Sequence, residues 1–491
     1  MLFLTLVFLS ALFIRIIIFN VKQHPAVDEI WAYLLTKASF TDIWYATLSE
    51  LHTPLYFIAL HGLSLIVPFE IDITFLRWIS LFFGVASCFG IWYLASLVSG
   101  KRCGLIAFFL SLFLPSFIWS SVFARYYSIL LLINILATIF FIRFVRTRKI
   151  INLALLTVTA TAGMYTHYYF ALVIFSFTFF LFIVKKYRNL LLQWLVAMAV
   201  VITLLIPELF YFFTLPKPEV VGLSNHLLKI PALLITNITS WELLVYLYYY
   251  GNPFFYVPVL TVLSITSILL FIYGFREMRR EFRALFLSII MIPPVLAIVI
   301  SYAFKPILGL GALQIFSPYL LVVLANGIAA DLKRTKLITI AFVVAVFGSL
   351  VFFFQASEDF YGSQREDMLV VLQEFRKGDI IVHSHLYSFL LGRYYLGDNI
   401  NFGLIHTTSS TPYIEQALGY KLISIESISN HKGWIWYLKQ PEDTPQEREI
   451  KAQLDNNFLL VKSKSFTRPK REYQIGSFTF FNVFLYVKKI M

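Results

Sequence analysis

Pro54-Leu55-Tyr56-Phe57-Ile58-Ala59-Leu60-His61-Gly62-Leu63-Ser64-Leu65-Ile66-Val67 is an apolar run of 14 residues closed by Pro68. Whether it crosses a membrane decides the architecture of the chain. A helix of that length rises about 21 Å, short of the roughly 30 Å hydrocarbon core of a bilayer. The run is therefore expected to be a re-entrant or interfacial helix rather than a span. Thr53 can cap it, and Pro54 suits its first turn.

The remainder of the chain is suited to lipid. Of 491 residues, 59% are hydrophobic and 14% charged, and the mean hydropathy is +0.77. Repeated apolar runs near or above about 18 residues mark a polytopic α-helical membrane protein. Span candidates are Leu2–Phe19 (with Arg15 its one charge), Phe75–Val98, Gly104–Ser120, Tyr127–Phe144, Ile151–Tyr165, Tyr168–Val184, Leu190–Phe213, Phe254–Tyr273, Ala284–Ala303, Ile307–Ala329 and Leu337–Phe354. Residues 2–19 resemble a secretory signal, but no small-residue cleavage site precedes Val21-Lys22-Gln23, so an uncleaved first helix is expected.

Charge sets the orientation. The net charge of +13 sits in short clusters between apolar runs: Lys101/Arg102, Arg143/Arg146/Arg148/Lys149, Lys185/Lys186/Arg188, Arg276/Arg279/Arg280/Arg283 and Lys333/Arg334/Lys336. That is a topology signal, not a nucleic-acid one. With these clusters in the cytoplasm, Ala124–Tyr126, Thr166–His167, Leu215–Pro253, Lys305–Pro306 and the C-terminal segment lie outside. The first external loop, 20–53, joins them only if Pro54–Val67 does not cross. About eleven transmembrane helices plus the re-entrant or interfacial helix result.

Residues 1–354 form the membrane domain. The composition turns polar at about Gln355, and 355–491 reads as a small extracytoplasmic α/β domain. Ser357–Lys377 is helix-like. Strand patterns occupy Ile380–Val382, Lys421–Ile425, Gly433–Leu438, Phe458–Lys462 and Phe478–Val487, with a helix over Thr444–Leu454.

The residues with chemical potential collect outside. Asp28 and Glu29 stand just beyond the first helix, ahead of the interfacial aromatics Trp31 and Tyr33. A carboxylate at that height can act as general base toward an acceptor hydroxyl, or hold a divalent cation against a lipid phosphate. Glu50 and His52 precede Pro54, either as a capped helix start or as a second polar pair over the same pocket. Arg125, beside Tyr126, occupies one tight external turn. It either snorkels to headgroups or clamps a phosphate. His167 sits among aromatics in the next such turn. Cys88 and Cys103 offer no disulfide framework or metal spacing. His383 and His385 flank Ser384 at a spacing compatible with a metal, or with ordinary loop residues.

In this order the motifs resemble a known group. Val27-Asp28-Glu29 followed by His52-Thr53-Pro54-Leu55-Tyr56 resembles the first external loop of the dolichyl-phosphate-mannose protein mannosyltransferase and aminoarabinose transferase-like superfamily. Leu76-Arg77-Trp78-Ile79-Ser80 through Gly84, Ala124-Arg125-Tyr126-Tyr127-Ser128 and Thr166-His167-Tyr168-Tyr169-Phe170 resemble later motifs of that group. The likeness is clear over residues 1–190. It implies a GT-C type glycosyltransferase, multi-pass in the cell membrane, with its active site facing away from the cytoplasm. It implies inverting transfer from a polyprenyl-phosphate sugar to a protein, lipid or polysaccharide acceptor. On matching positions, the resemblance implies Asp28 as the first choice of catalytic carboxylate with Glu29 beside it, Glu50 and His52 lining the pocket, and Arg77 and Arg125 as candidates for the donor phosphate, with Tyr126 and His167 beside them. No cofactor or metal is required, though a divalent cation remains an option. One departure is Gln314, where relatives often carry arginine.

The competing expectation is a transporter or flippase of a lipid-linked saccharide, with Arg15 on its translocation path. Few ionisable residues in later spans, and no inverted repeat, speak against it.

Overall fold

The computed structural model describes residues 2–21, 24–215, 253–303, 315–330, 332–384, 386–397, 401–405, 412–419, 422–423, 428, 431–439, 445–467 and 479–488. Its helices up to the sheet are α1 (Leu2–Val21), α2 (Val27–Thr36), α3 (Phe40–Ser49), α4 (Leu55–Ser64), α5 (Ile73–Ser99), α6 (Lys101–Phe113), α7 (Pro115–Val122), α8 (Tyr127–Thr147), α9 (Ile150–Thr166), α10 (Phe170–Ile183), α11 (Leu191–Thr214), α12 (Pro253–Glu277), α13 (Arg280–Ala303), α14 (Ser317–Ala330) and α15 (Leu332–Glu374).

Among the described residues six helices are long and apolar enough to cross a membrane, or seven if α6 and α7, bent by 61°, form one broken span. The expected spans Leu2–Phe19, Ile151–Tyr165 and Tyr168–Val184 correspond to the shorter apolar helices α1, α9 and α10, and the described part of Ile307–Ala329 to α14, with 307–314 outside the described residues. The stretch that opened the sequence reading is α4. Its 10 residues rise about 15 Å, half a bilayer core. Loop 20–53 is largely helical, folded into α2 and α3.

The bend between α6 and α7 explains the charge in the first helix. Pro115 has no N–H to give the Ser111 carbonyl one turn earlier. Arg15 of α1 fills the break. Its Nη2 donates to the Ser111 carbonyl at 3.0 Å and its Nη1 to the Leu112 carbonyl at 2.6 Å. Its Nε donates to Ser121 Oγ at 3.1 Å. Arg15 is thus a buried staple between helices, and its place on a translocation path loses its basis.

Further along, α12 and α14 meet backbone to backbone. A Cβ on Gly274 would lie 1.9 Å from the Val323 carbonyl oxygen, and one on Gly327 would lie 2.2 Å from that of Leu270. Only glycine fits either position.

Beyond the bundle, α15 runs unbroken for 43 residues, about 65 Å. The expected domain boundary at 354/355 therefore falls inside one helix. A six-stranded sheet follows: β1 (Ile380–His383), β2 (Asn401–Ile405), β3 (Leu422–Ile423), β4 (Ile435–Lys439), β5 (Phe458–Thr467) and β6 (Thr479–Lys488), in the order β3-β2-β1-β4-β6-β5. The β3-β2-β1-β4 part is parallel and the β4-β6-β5 part antiparallel. Helices α16 (Leu386–Leu396) and α17 (Pro412–Leu418) follow β1 and β2, and α18 (Pro445–Asn457) precedes β5.

Two of these helices sit on the first loop. Tyr394 of α16 meets Tyr33 of α2 edge-on at 6.1 Å, and Tyr413 of α17 meets Tyr45 of α3 at 5.4 Å. One apolar core runs from Val27 and Ile30 of α2 through the bundle to Leu386 and Ile414.

Candidate functional site

The site is organised by the start of α2. Glu29, three residues after the N-cap Ala26, turns back so that its Oε2 accepts the Ala26 N–H at 3.0 Å. Its Oε1 accepts the Ala124 N–H at 2.9 Å. Arg77, in the second turn of α5, closes the pair as a fork, with Nε to Oε1 at 2.9 Å and Nη2 to Oε2 at 2.8 Å. Both side chains are buried, at 0% and 5% exposure. Four donors converge on one carboxylate, which leaves little capacity for a reacting proton.

This places two expected site residues differently. Glu29 is turned into the protein instead of standing beside Asp28 at the pocket. Arg77 is engaged with Glu29 instead of facing a donor phosphate.

Asp28, one residue earlier, points about 100° away around the helix and its side chain is 43% exposed. Its partner is Arg125, from the turn Ala124–Tyr126 between α7 and α8. Arg125 Nη1 lies 3.9 Å from Asp28 Oδ1 and donates to the Asp28 backbone carbonyl at 3.3 Å. The first distance is an ion pair at its limit, too long for a hydrogen bond. Arg125 is itself buried, against the rings of Phe57 and Tyr126 at 5.8 and 5.2 Å. Its Nε has no hydrogen-bond partner. Burial opposes the charge, but Asp28 and the neighbouring tyrosines outweigh it and hold the guanidinium above its ordinary pKa.

The wall around Arg125 is aromatic. Leu51 adopts a left-handed φ of +62°, a conformation usually left to glycine after a helix. It turns the chain so that His52 stands 6.4 Å from Phe57 and 6.5 Å from Tyr126, ring to ring. Tyr126 also meets His167 at 5.1 Å and Tyr56 at 6.4 Å. Burial, Arg125 and His167 lower the His52 pKa to about 3, and burial and Arg125 lower that of His167 to about 4. Both imidazoles are therefore neutral near pH 7. The Tyr169 N–H donates to His167 Nδ1 at 3.1 Å, which leaves the ring proton on Nε2.

Glu50 is the half-buried C-cap residue of α3, two positions before His52. The structure thus gathers Asp28, Arg125, Tyr126, His52 and His167 at one end of the bundle. Among the described residues no three His, Cys, Asp or Glu side chains come together as a metal set. His383 is buried at the end of β1, with Nδ1 3.3 Å from Ser388 Oγ; His385 and Gln314 lie outside the described residues.

One polar group escaped the sequence reading. Glu208, next to Pro207 in α11, is buried against the hydroxyl of Tyr168. Its signal was available: it is the only charged residue in the apolar stretch 191–214.

Residues 52–211 match the family described as dolichyl-phosphate-mannose-protein mannosyltransferase, over about a third of the chain. No curated protein sequence matches. Among solved structures, ArnT from Cupriavidus metallidurans bound to undecaprenyl phosphate is similar, at 12% identity and a TM-score of 0.57, covering 98% of each chain. The apo state of the same protein is similar at 11% identity and a TM-score of 0.55, covering 98% of this chain and 97% of that one. The oligosaccharyltransferase AglB from Archaeoglobus fulgidus, in complex with an inhibitory peptide and a dolichol-phosphate, gives 13% identity and a TM-score of 0.51, covering 88% and 69%. The turn motifs around Arg77, Arg125 and His167 lie within the matched residues, and the superfamily resemblance holds in that match and in the fold; Asp28 and Glu29 precede the matched residues.

Proposed function

We propose that this chain is an integral-membrane glycosyltransferase of the GT-C type. It moves a sugar from a polyprenyl-phosphate donor, with inversion, to an acceptor on the extracytoplasmic face. The observation that carries this reading is the Asp28–Arg125 arrangement: a half-exposed carboxylate beside a buried guanidinium with an unused N–H. It occurs in a fold shared with a protein solved with undecaprenyl phosphate.

Arg125 receives the phosphate of the donor, because a planar guanidinium matches phosphate oxygens and its charge is fixed at any working pH. The acceptor hydroxyl approaches the anomeric carbon from the face opposite the phosphate and gives its proton to Asp28. As the new C–O bond forms, the bond from the anomeric carbon to the phosphate oxygen breaks. Its electron pair stays on the lipid phosphate, where Arg125 stabilises the added charge. No covalent enzyme intermediate is needed, and a single displacement inverts the centre. His52 and His167 are neutral, so they shape and hydrogen-bond without competing with Arg125 for the phosphate. Glu29 and Arg77 act by fixing α2 against α5 and the Ala124 turn, which sets the direction of Asp28.

No step in this scheme draws on a metal ion, so transfer is expected to survive EDTA. The test is label transfer from undecaprenyl-phosphate sugars into protein, lipid and polysaccharide fractions of membranes that hold the protein. Asp28→Asn should lower the rate by about 10²–10⁴ while leaving expression intact. Full retained transfer would overturn the assignment of the base.

A further inference from the structure

At the end of the bundle away from Asp28, a cleft opens between α8, α10 and α13. The Arg125 turn stands at the start of α8 and Arg146 near its end, and the 21 residues of that helix rise about 32 Å, the thickness of one hydrocarbon core. The cleft encloses about 240 Å³, its open mouth included. Phe141, Ile142 and Val145 of α8, Phe180 of α10, and Phe282 and Leu285 of α13 make its walls.

The rim is charged where the walls are apolar. Glu281, at the start of α13, accepts from the Tyr187 hydroxyl at 2.7 Å and lies 3.6 Å from Arg146 Nη2 and 3.4 Å from Lys186 Nζ. One carboxylate thus faces two cations, and Lys185, Arg188 and Arg280 close by in the chain are exposed. The rim keeps a positive surplus. The Lys186 side chain is 69% exposed, and the Arg146 guanidinium lies over the Phe282 ring at 4.4 Å, where rim meets wall. Beneath it, Phe180 meets Tyr187 at 5.6 Å and Phe141 at 5.8 Å, ring to ring. From Glu281 down to Leu285 the wall descends about 6 Å along the helix.

We propose that this cleft seats one anionic phospholipid of the leaflet on that side, with its phosphate on Arg146 and Lys186 and the head end of an acyl chain against the apolar walls. Charge complementarity selects the sign, since a basic recess between membrane helices attracts an acidic headgroup. Glu281 opposes the anion, but it offsets only one of the two cations and is held by the Tyr187 hydroxyl. A zwitterionic lipid would bring its own cation against this surplus, which disfavours it. Charge above and hydrocarbon below is also the order of a phospholipid along the membrane normal, so a free phosphate would leave the walls unused. The proposal rests on the membrane placement of α8 and is independent of sugar transfer.

The test is native mass spectrometry of the detergent-purified full chain, titrated with phosphatidylglycerol, phosphatidylcholine and glycerol 3-phosphate. The wild type should take up phosphatidylglycerol in preference to both of the others. Lys186→Gln should weaken that binding about fivefold, and Arg146→Gln/Lys186→Gln by about that factor again, with uptake of phosphatidylcholine unchanged. The variant Lys101→Gln/Arg102→Gln removes as much charge from residues that do not line the cleft, and should bind as the wild type does. The proposal is overturned if the two lipids bind alike, if glycerol 3-phosphate binds as well as phosphatidylglycerol, or if the Lys101/Arg102 variant loses as much as the cleft variant. If Arg146→Gln/Lys186→Gln does not fold, Lys186→Gln decides, because its side chain is mostly in solvent.

Discussion

Asp28–Arg125 and Glu29–Arg77 are ion pairs drawn from adjacent residues of α2, and the protein treats them in opposite ways. Glu29 accepts from a two-pronged guanidinium and two backbone N–H groups, at 2.8–3.0 Å, with almost no exposure. Asp28 is 43% exposed and sits 3.9 Å from a guanidinium that keeps an N–H unused. The first pair is saturated and has geometry to contribute but no proton chemistry. The second is unsaturated, which is costly for folding and useful for a ligand. One turn of helix thus carries a closed pair that aims an open one.

The largest effect that can break this contrast is in rate. If the two carboxylates were interchangeable, Asp28→Asn and Glu29→Gln would fail alike. We expect Asp28→Asn to lose about 10²–10⁴ in transfer rate with its melting temperature unchanged, and Glu29→Gln to lose stability first.

The next effect is in stability. Arg77→Leu strands the Glu29 charge inside the protein and should cost about 3–5 kcal/mol, seen as lost yield and a lower melting temperature in detergent. The double variant Glu29→Met/Arg77→Leu should recover much of that, because an apolar pair leaves no buried charge. If the double is as unstable as the single, the pair's Ala26 and Ala124 hydrogen bonds matter more than its charge balance.

A smaller effect separates the two arginines. Arg125→Lys keeps the charge but replaces the planar fork with a point charge. About a tenfold loss in kcat/KM is expected, with the protein still well folded. The same change at Arg77 should act on stability, since there the fork is filled.

The convergence of Asp28, Arg125, His52 and His167 was legible because charge parity placed their loops on one side and the family motifs ordered them. The motif likeness puts Asp28 first as the catalytic carboxylate with Glu29 beside it; that Glu29 turns away from the pocket was not read, although the clue was present. Glu at the third helical position after Ala26 is the capping-box place, and helix rotation then turns Asp28 outward. Arg77 followed Glu29, and motif likeness alone could not say so. Glu208 went unremarked as a single acid in an apolar run. In the C-terminal part β2 (Asn401–Ile405) was missed because Gly403 breaks its strand pattern. The change at Gln355 marked where polar residues begin, but nothing there interrupts a helix, and α15 runs straight through.

The smallest effect is in pH, and it sharpens the contrast because the open side carries two buried imidazoles while the closed pair carries none. His52 and His167 have folded pKa values of about 3 and 4, below the 6.5 of an unfolded histidine. Between those limits the unfolded chain binds more protons than the folded one, so stability falls as the pH drops. The loss begins below about pH 6.5 and continues toward 4. Arg125 is the cation facing both rings and stays charged throughout, so it opposes their protonation over the whole range. The melting temperature of the wild type should therefore decline from pH 7 to 4.5, and the His52→Gln/His167→Gln variant should decline less. Equal slopes would mean that both imidazoles already reach solvent in the folded protein, and that Arg125 stands in a wetter pocket than its buried Nε implies.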